Sequence, residues 1–206
     1  MGKMLARISL EVTDTHVINA IRAIPRHKFI SAKLQRYAYE DSALGIGSGQ
    51  TISQPLIVAL MTKAASLKSS DHVLEIGTGS GYQSAVLAQI VRQVITVERI
   101  EALRLSSIER LARLNINNVR CIPAEDQLGA LSEAPFNAIL VTAAAPNVPQ
   151  GLISQLAEGG RLVIPVGNRN EQQLLQITKF GPHLKERSLG GCRFVPLIGP
   201  GAFSTE

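Results

Sequence analysis

One stretch, residues 73–82, constrains the fold of this chain more than any other. It consists of an apolar run interrupted by the acid Glu75 and followed by Gly77, Gly79 and Gly81. Apolar runs are typical of strands buried on both faces, and glycines let the backbone turn tightly beside a ligand. Apolar residues then return with helical spacing. The sequence therefore predicts a strand, a glycine-rich turn and a helix, the first unit of a nucleotide-binding α/β sheet.

Two kinds of ligand are compatible with such a turn. A dinucleotide favours the spacing G-x-G-x-x-G, but here the third glycine follows after one residue and precedes the bulky Tyr82. Glu75 at the strand end would repel a pyrophosphate and attract a cation. S-adenosylmethionine carries a sulfonium and an ammonium but no phosphate, so the turn favours this cofactor. The predicted cofactor-binding residues of the turn are Glu75, Gly77, Thr78, Gly79, Ser80 and Gly81. A nicotinamide-dependent oxidoreductase and a turn without any ligand are the alternatives.

Acids also follow the next two predicted strands. The strand at residues 94–98 ends in Glu98, where an acid binds ribose hydroxyls in nucleotide folds. After a short strand at residues 119–122 come Glu125 and Asp126. Either carboxylate could accept a hydrogen bond from an adenine amino group, because ligands bind at this edge of such sheets.

A second glycine-rich stretch, residues 43–55, precedes a predicted helix. Pro55 suits the first turn of a helix, so Thr51, Ser53 and Gln54 lie where that helix begins. Unpaired amides and hydroxyls at this place can bind an anion such as a carboxylate. A simple helix cap made by Ser53 or Gln54 explains the same residues equally well.

The rest of the chain alternates between strands and helices. A first amphipathic helix is expected at residues 12–24, with Thr13 or Asp14 as its N-cap. Further strands are expected at residues 136–141, 159–167, 173–178 and 193–199, and another helix at residues 100–114. The sequence predicts a single domain, in which residues 1–55 form an extension over the active site and residues 56–206 form the cofactor-binding core.

Composition and charge narrow the functional classes. The chain has no apolar run of the roughly 20 residues that cross a bilayer and no signal-peptide core, which predicts a cytoplasmic protein without membrane contact. Cys121 and Cys192 lack a C-x-x-C partner, so free thiols are expected and no metal site. The net charge is +5, but basic residues are scattered, so no specific nucleic-acid partner is expected.

Five separated stretches resemble the protein-L-isoaspartate O-methyltransferase family. They are residues 47–55 with their Thr-Ile-Ser core, 73–82, 97–100, 141–146 and 193–197. The resemblance implies an α/β, Rossmann-like methyltransferase fold with a seven-stranded, mostly parallel sheet and an N-terminal helical or loop extension. It implies methyl transfer from S-adenosylmethionine to the α-carboxylate of L-isoaspartyl residues in damaged proteins, which begins repair through a succinimide. Damaged proteins and peptides are the expected partners of a monomeric enzyme. The runner-up is a methyltransferase acting on a small molecule or RNA.

The resemblance also implies roles for individual residues. Ser53 matches the active-site serine, and the substrate-binding set is Thr51, Ser53, Gln54, Thr142, Ala143 and Val195. Glu98, Arg99, Glu125 and Asp126 complete the cofactor-binding set. Residues 124–126 read Ala-Glu-Asp where the family usually has Gly-Asp-Gly, so the adenine contact is assigned to Glu125.

The chemistry of the implied reaction requires no general base. An α-carboxyl group has a pKa of about 3.5, so it is already an anion at neutral pH. The enzyme need only hold it in line with the methyl group. Ser53, Thr142 and the first amides of the helix at Pro55 are expected to do so, and none of them acts as a nucleophile.

Overall fold

The computed structural model describes residues 1–204 and contains one large sheet, a small hairpin and flanking helices. The helices are α1 (Gly2–Ser9), α2 (Thr15–Ala23), α3 (Pro55–Ala64), α4 (Tyr82–Ala88), α5 (Glu101–Arg113) and α6 (Gln150–Ser154). The hairpin consists of β1 (Leu44–Gly47) and β2 (Gln50–Ile52). The sheet contains β3 (His72–Ile76), β4 (Gln93–Glu98), β5 (Val119–Pro123), β6 (Phe136–Val141), β7 (Leu156–Gly167), β8 (Gln172–Phe180) and β9 (His183–Cys192). Short 3-10 helices lie at Arg26–Phe29, Ala32–Tyr37 and Leu131–Glu133.

The strand order of the sheet creates a crevice at its centre. The order is β5-β4-β3-β6-β7-β8-β9. Neighbouring strands from β5 to β7 pair in parallel, whereas the β7–β8 and β8–β9 pairings are antiparallel, so β8 is the strand that runs opposite to the rest. The chain leaves β3 towards β4 on one side and returns to β6 on the other. In open α/β sheets, ligands bind outside the carboxyl ends of strands at such a switch point. The predicted seven-stranded, mostly parallel fold is confirmed.

The two faces of the central strands pack against different helices. On β3, Val73 points into a cluster with residues of α3 and α4, whereas Leu74 points into a cluster with residues of α6. Both side chains are fully buried. Because both faces are covered, the strands read as continuous apolar runs, which explains why the sequence revealed them.

The N-terminal helices share a core with the sheet's helical layer. Met4 and Ile8 of α1 and Val17 and Ile21 of α2 are buried together with Val58 of α3. Asp14 caps α2 by accepting hydrogen bonds from the amides of the second and third helical residues, as predicted. Helix α1 was not predicted, since only two of its residues are buried and its apolar pattern is too short to recognise. No helix of residues 1–204 is long and apolar enough to cross a membrane.

The predicted last strand at residues 193–199 is wrong. The last strand is β9, which lies at the edge of the sheet and is almost wholly exposed, so it lacks an apolar pattern. Residues 193–200, which are apolar after Arg193, instead form an extended segment, here called the C-terminal strap. The strap lies against the residues after β6, where the Ala144 amide donates to the Val195 carbonyl at 2.8 Å and the Leu197 amide donates to the Ala144 carbonyl at 2.7 Å.

Candidate active site

The largest concentration of predicted site residues lines one cavity at the switch point. Its wall comes from the glycine turn after β3, the carboxyl ends of β4 and β6, the loop after β5, the segment from β2 to α3 and the C-terminal strap. The predicted residues in this wall are Thr51, Ser53, Glu75, Gly77, Thr78, Gly79, Ser80, Glu98, Arg99, Glu125, Thr142, Ala143 and Val195. The structure therefore brings together two glycine-rich stretches that are well separated in the sequence.

The glycine turn lies directly against Thr142. The Gly77 amide donates to the Val97 carbonyl at 2.8 Å, and Gly77 has a φ of +96°. A Cβ at Gly77 would lie 2.5 Å from the Thr142 hydroxyl oxygen. That hydroxyl points at the carbonyls of Ile76 and Gly77, at 3.0 and 2.6 Å. Since the Thr142 proton is donated to the backbone, this side chain can offer a substrate only its acceptor lone pairs.

Glu75 presents a buried oxygen without a partner. Its Oε2 accepts hydrogen bonds from the hydroxyls of Ser84 and Thr96, the latter at 2.7 Å. Its Oε1 is buried and has no hydrogen-bond partner within residues 1–204. Burial is the main cause that raises the pKa of this carboxyl group to about 7. An unsatisfied acceptor in a cavity wall fits a cationic hydrogen-bond donor, such as an ammonium group.

Glu98 holds the glycine turn in place from the neighbouring strand. Its Oε2 accepts from the Gly79 amide at 2.8 Å, and its Oε1 accepts from the Ile100 amide at 2.9 Å. Each oxygen retains a lone pair for a further donor, as ribose recognition requires. Ile100 also lines the cavity, but the sequence analysis did not predict it as a site residue. Its position, two residues after Glu98 and apolar, could have indicated a contact with the cofactor.

The structure separates Glu125 from Asp126. Glu125 lines the cavity, whereas Asp126 lines an adjacent depression that includes Leu131 and Gln150. Leu128 and Gly129, which sequence reasoning missed, complete the wall beside Glu125. Asp126 is therefore not placed with the other predicted cofactor residues.

Gly81 is also absent from the wall. It ends the turn at the start of α4, and a Cβ on Gly81 would face Ser107 and Leu111 of α5 at 3.3 and 3.7 Å. Gly81 therefore allows the turn to pack closely against α5. Of the three alternating glycines, only Gly77 and Gly79 lie beside the cavity.

Ser53 contributes an uncommitted hydroxyl. Within residues 1–204 its side chain forms no hydrogen bond, and it lines the cavity. Gln54, by contrast, turns away, and its Nε2 donates to Asp41 Oδ2 at 2.9 Å. The sequence could not distinguish these neighbours, because the partner of Gln54 lies 13 residues away.

The amino end of α3 is already occupied by a carboxylate. Asp41 Oδ1 accepts from the Leu56 amide at 2.9 Å, and Pro55 has no amide hydrogen. Of the first amides of this helix, the Leu56 amide is therefore already committed to Asp41.

Charge is distributed unevenly around the cavity. The charged side chains of its described wall are Glu75 in β3, Glu98 at the end of β4, Arg99 directly after β4, and Glu125 in the loop after β5. The end formed by β2, β6 and the C-terminal strap, here called the neutral end, is lined only by uncharged residues within the described chain. The cavity thus has one acidic region suited to a cation and one region of neutral hydrogen-bonding groups.

Sequence comparisons identify relatives over nearly the whole chain. The family described as protein-L-isoaspartate(D-aspartate) O-methyltransferase matches residues 4–201. A protein-L-isoaspartate O-methyltransferase of Vibrio campbellii is 51% identical over 191 residues, covering 93% of this chain and 91% of the relative. One of Geobacter metallireducens is 49% identical and covers 97% of this chain and 93% of the relative.

Solved structures agree with the sequence comparisons. A protein-L-isoaspartate O-methyltransferase superposes with a TM-score of 0.88 at 28% identity, covering 98% of this chain and 67% of that chain. A protein-L-isoaspartate O-methyltransferase of Plasmodium falciparum, in complex with S-adenosyl-L-homocysteine, gives a TM-score of 0.81 at 29% identity, covering 94% and 95%. Because the family pattern matches residues 4–201 and relatives about half identical cover more than nine tenths of the chain, the chain belongs to the protein-L-isoaspartate(D-aspartate) O-methyltransferase family.

Proposed function

We propose that this protein transfers the methyl group of S-adenosylmethionine to the α-carboxylate of L-isoaspartyl residues in damaged proteins and peptides. The observation that carries the proposal is the cavity itself, which joins an unsatisfied buried oxygen of Glu75 to the uncommitted hydroxyl of Ser53 at the neutral end. Family membership supports the same reaction. The neighbouring backbone amide nitrogen of the substrate would then attack the methyl ester, release methanol and close a succinimide, which begins repair.

The residues at the acidic end fit the proposed cofactor. Glu75 would accept from its ammonium group, Glu98 from its ribose hydroxyls and Glu125 from its adenine amino group. The apolar side chains of Ile100 and Leu128 would flank the base. When bound, the cofactor supplies a methyl group on a positively charged sulfur.

The neutral end would hold and orient the substrate carboxylate. Ser53 donates a hydrogen bond to one oxygen, and the small Ala143 leaves room for the reacting groups. Thr51 and Val195 line the same part of the cavity. Because the carboxylate is already ionised, these residues need only align it, and alignment of reactants can supply effective molarities of roughly 10⁵ M or more.

The proposal extends to the organisation and setting of the protein. Residues 1–55 would cover the active site of one domain, whose core is residues 56–206, and the enzyme would act as a monomer without a specific nucleic acid. Cys121 and Cys192 are free thiols, and burial is the first cause that raises the pKa of each. Free thiols of this kind suit a reducing compartment, so we place the protein in the cytoplasm.

Methyl transfer to matched peptides tests the proposal. The purified protein is incubated with methyl-labelled S-adenosylmethionine and a peptide that contains isoaspartate, beside the same peptide with normal aspartate. Base-labile label should enter only the isoaspartyl peptide. Equal labelling of both peptides, or labelling of neither, would exclude the proposed activity.

A further inference from the structure

We propose that Asp41 is a positioning residue, which sets the Ser53 hydroxyl in place by bracing the chain on its carboxyl side. The inference rests on the proposed function and deepens it, since it identifies what holds the substrate end of the site. Asp41 does not line the cavity. Its effect on the reaction must therefore pass through its contacts.

Asp41 bridges the residues that follow Ser53. One carboxylate oxygen accepts from the Gln54 side chain and the other from the Leu56 backbone amide, each at 2.9 Å. One side chain thus fixes the conformation of the residue next to Ser53 and also caps α3. A cap that spans 15 residues of sequence ties two segments together, whereas an ordinary cap acts within one turn.

The Ser53 side chain depends on the neighbouring residues for its position because, within residues 1–204, its hydroxyl has no hydrogen-bond partner. On its amino side, Ile52 is buried and pairs with Leu44 in the hairpin. On its carboxyl side, the contacts of Asp41 are the side-chain hydrogen bonds that hold the entry into α3. Without them, the hydrogen bond from the Val58 amide to the Gln54 carbonyl still holds the backbone, but the Gln54 side chain and the Leu56 amide lose their partners.

The turn that carries Asp41 is itself held by Arg26. This guanidinium is fully buried and donates to the carbonyls of Ala38 at 2.9 Å and Ser42 at 3.3 Å. It also lies 5.0 Å above the ring of Tyr82, the residue that follows the glycine turn. Arg26 therefore connects the turn that carries Asp41 to Tyr82, which lies beneath the cofactor end of the cavity.

Asp41→Ala removes both arms of the brace. For an isoaspartyl peptide, kcat/KM should fall about tenfold, equivalent to 1.4 kcal/mol, the scale of a lost helix cap. The Kd for S-adenosylhomocysteine should stay within about twofold, because the acidic end is untouched. Asp41→Asn should recover most of the activity, since Asn accepts from the Leu56 amide and Gln54 can rotate its amide to accept from Asn.

Asp14→Ala is the matched control. Asp14 also caps a helix with two hydrogen bonds to backbone amides, but it lies at the start of α2 and outside the cavity wall. This variant should lower the free energy of unfolding and leave kcat/KM unchanged. A loss of kcat/KM in Asp14→Ala as large as in Asp41→Ala would show that general destabilisation explains the effect, and would overturn the inference.

Two further measurements keep the inference testable. If Asp41→Ala does not fold, Gln54→Met is used instead, because it removes the hydrogen bond from Gln54 to Asp41 and keeps the one from the Leu56 amide. A reduced kcat/KM with normal S-adenosylhomocysteine binding supports the inference. A wild-type kcat/KM contradicts it. Amide hydrogen exchange, measured in the wild type and in Asp41→Asn, reports on protection of the Leu56 amide and does not depend on an activity assay. Fast exchange of that amide in the wild type would overturn the brace, whereas a wild type without methyl transfer would overturn only the proposed function.

Discussion

At Glu75, a single carboxyl group meets two opposing requirements. A cationic cofactor calls for the ionised form, but complete burial favours the neutral form and raises the pKa to about 7. In the unfolded chain the same group ionises near its ordinary value of 4.5. Between these two values the folded protein binds more protons than the unfolded chain. The stability given by this proton is complete below about 4.5 and is lost as pH rises through about 7.

This linkage predicts a pH dependence that belongs to Glu75. Without cofactor, the free energy of unfolding should contain a component that decreases between about pH 4.5 and about pH 7, with a slope of up to roughly 1.4 kcal/mol per pH unit. Denaturant unfolding of the wild type and Glu75→Gln across this range measures the component as their difference. If that difference does not change with pH, Glu75 ionises normally and its proposed environment is incorrect.

Ser53→Ala tests the donor at the neutral end. A hydrogen bond to a charged group contributes about 1.5–3 kcal/mol, so kcat/KM for an isoaspartyl peptide should fall roughly tenfold to a hundredfold. S-adenosylhomocysteine should bind as in the wild type, which calorimetry can verify. Unchanged kinetics would remove Ser53 from the site.

The sequence indicated residue types better than side-chain directions. Glu75, Glu98 and Ser53 lie in the cavity wall as expected, because strand ends and helix starts converge there. Gln54 and Asp126 do not, although each is adjacent in sequence to a residue that does. Which of two neighbours points inward is decided by distant partners, and such contacts leave no local pattern.

At the scale of elements, the glycine turn is fixed by its contact with Thr142. Gly77→Ala should lower the free energy of unfolding by about 2 kcal/mol or more, because a positive φ costs roughly 1–2 kcal/mol and the new methyl group would collide with Thr142. Gly79→Ala, whose Cβ would meet nothing nearer than the Ile46 side chain at 3.4 Å, should cost less. Denaturant unfolding measures both.

A second substitution separates the two causes. In a Thr142→Ala background, the collision at position 77 is absent and only the cost of the positive φ remains. Gly77→Ala should therefore be less destabilising in that background than in the wild type. Equal destabilisation in both backgrounds would show that the contact with Thr142 does not contribute to the cost of Gly77→Ala.

Elements with two buried faces were predictable, and elements at the periphery were not. Strands β3, β4 and β6 were recognised because continuous burial selects continuous apolar runs. Strand β9 is an exposed edge, and its pairing with β8 is specified by backbone hydrogen bonds that no side-chain pattern records. The C-terminal strap showed the opposite error, since its apolar residues contact the cavity region rather than a neighbouring strand.

At the scale of the whole molecule, the N-terminal extension and the core form one packed unit. Residues of α1, α2 and the segment after them share a buried cluster with Tyr82 and Val86 of α4. Phe29 contacts the Tyr82 ring edge-on at 5.3 Å between centroids. Removal of the extension would therefore expose the layer beneath the cofactor end.

Thermal unfolding should accordingly be a single transition that responds to ligand. S-adenosylhomocysteine at about 100 times its Kd stabilises the folded state by about 2.7 kcal/mol, which raises Tm by roughly 5–10 °C for a chain of this size. Scanning calorimetry with and without ligand provides the measurement. A separate, ligand-independent transition for the first 55 residues would contradict the shared core.

The uncharged lining of the neutral end has a consequence for turnover. In the proposed reaction a carboxylate attacks a sulfonium, so two opposite charges meet and both disappear. The products are an ester and a thioether, and neither finds a charged side chain in the described wall of that end. The electrostatic attraction between the carboxylate and the sulfonium is therefore absent from the products. Its loss favours release of the methylated peptide.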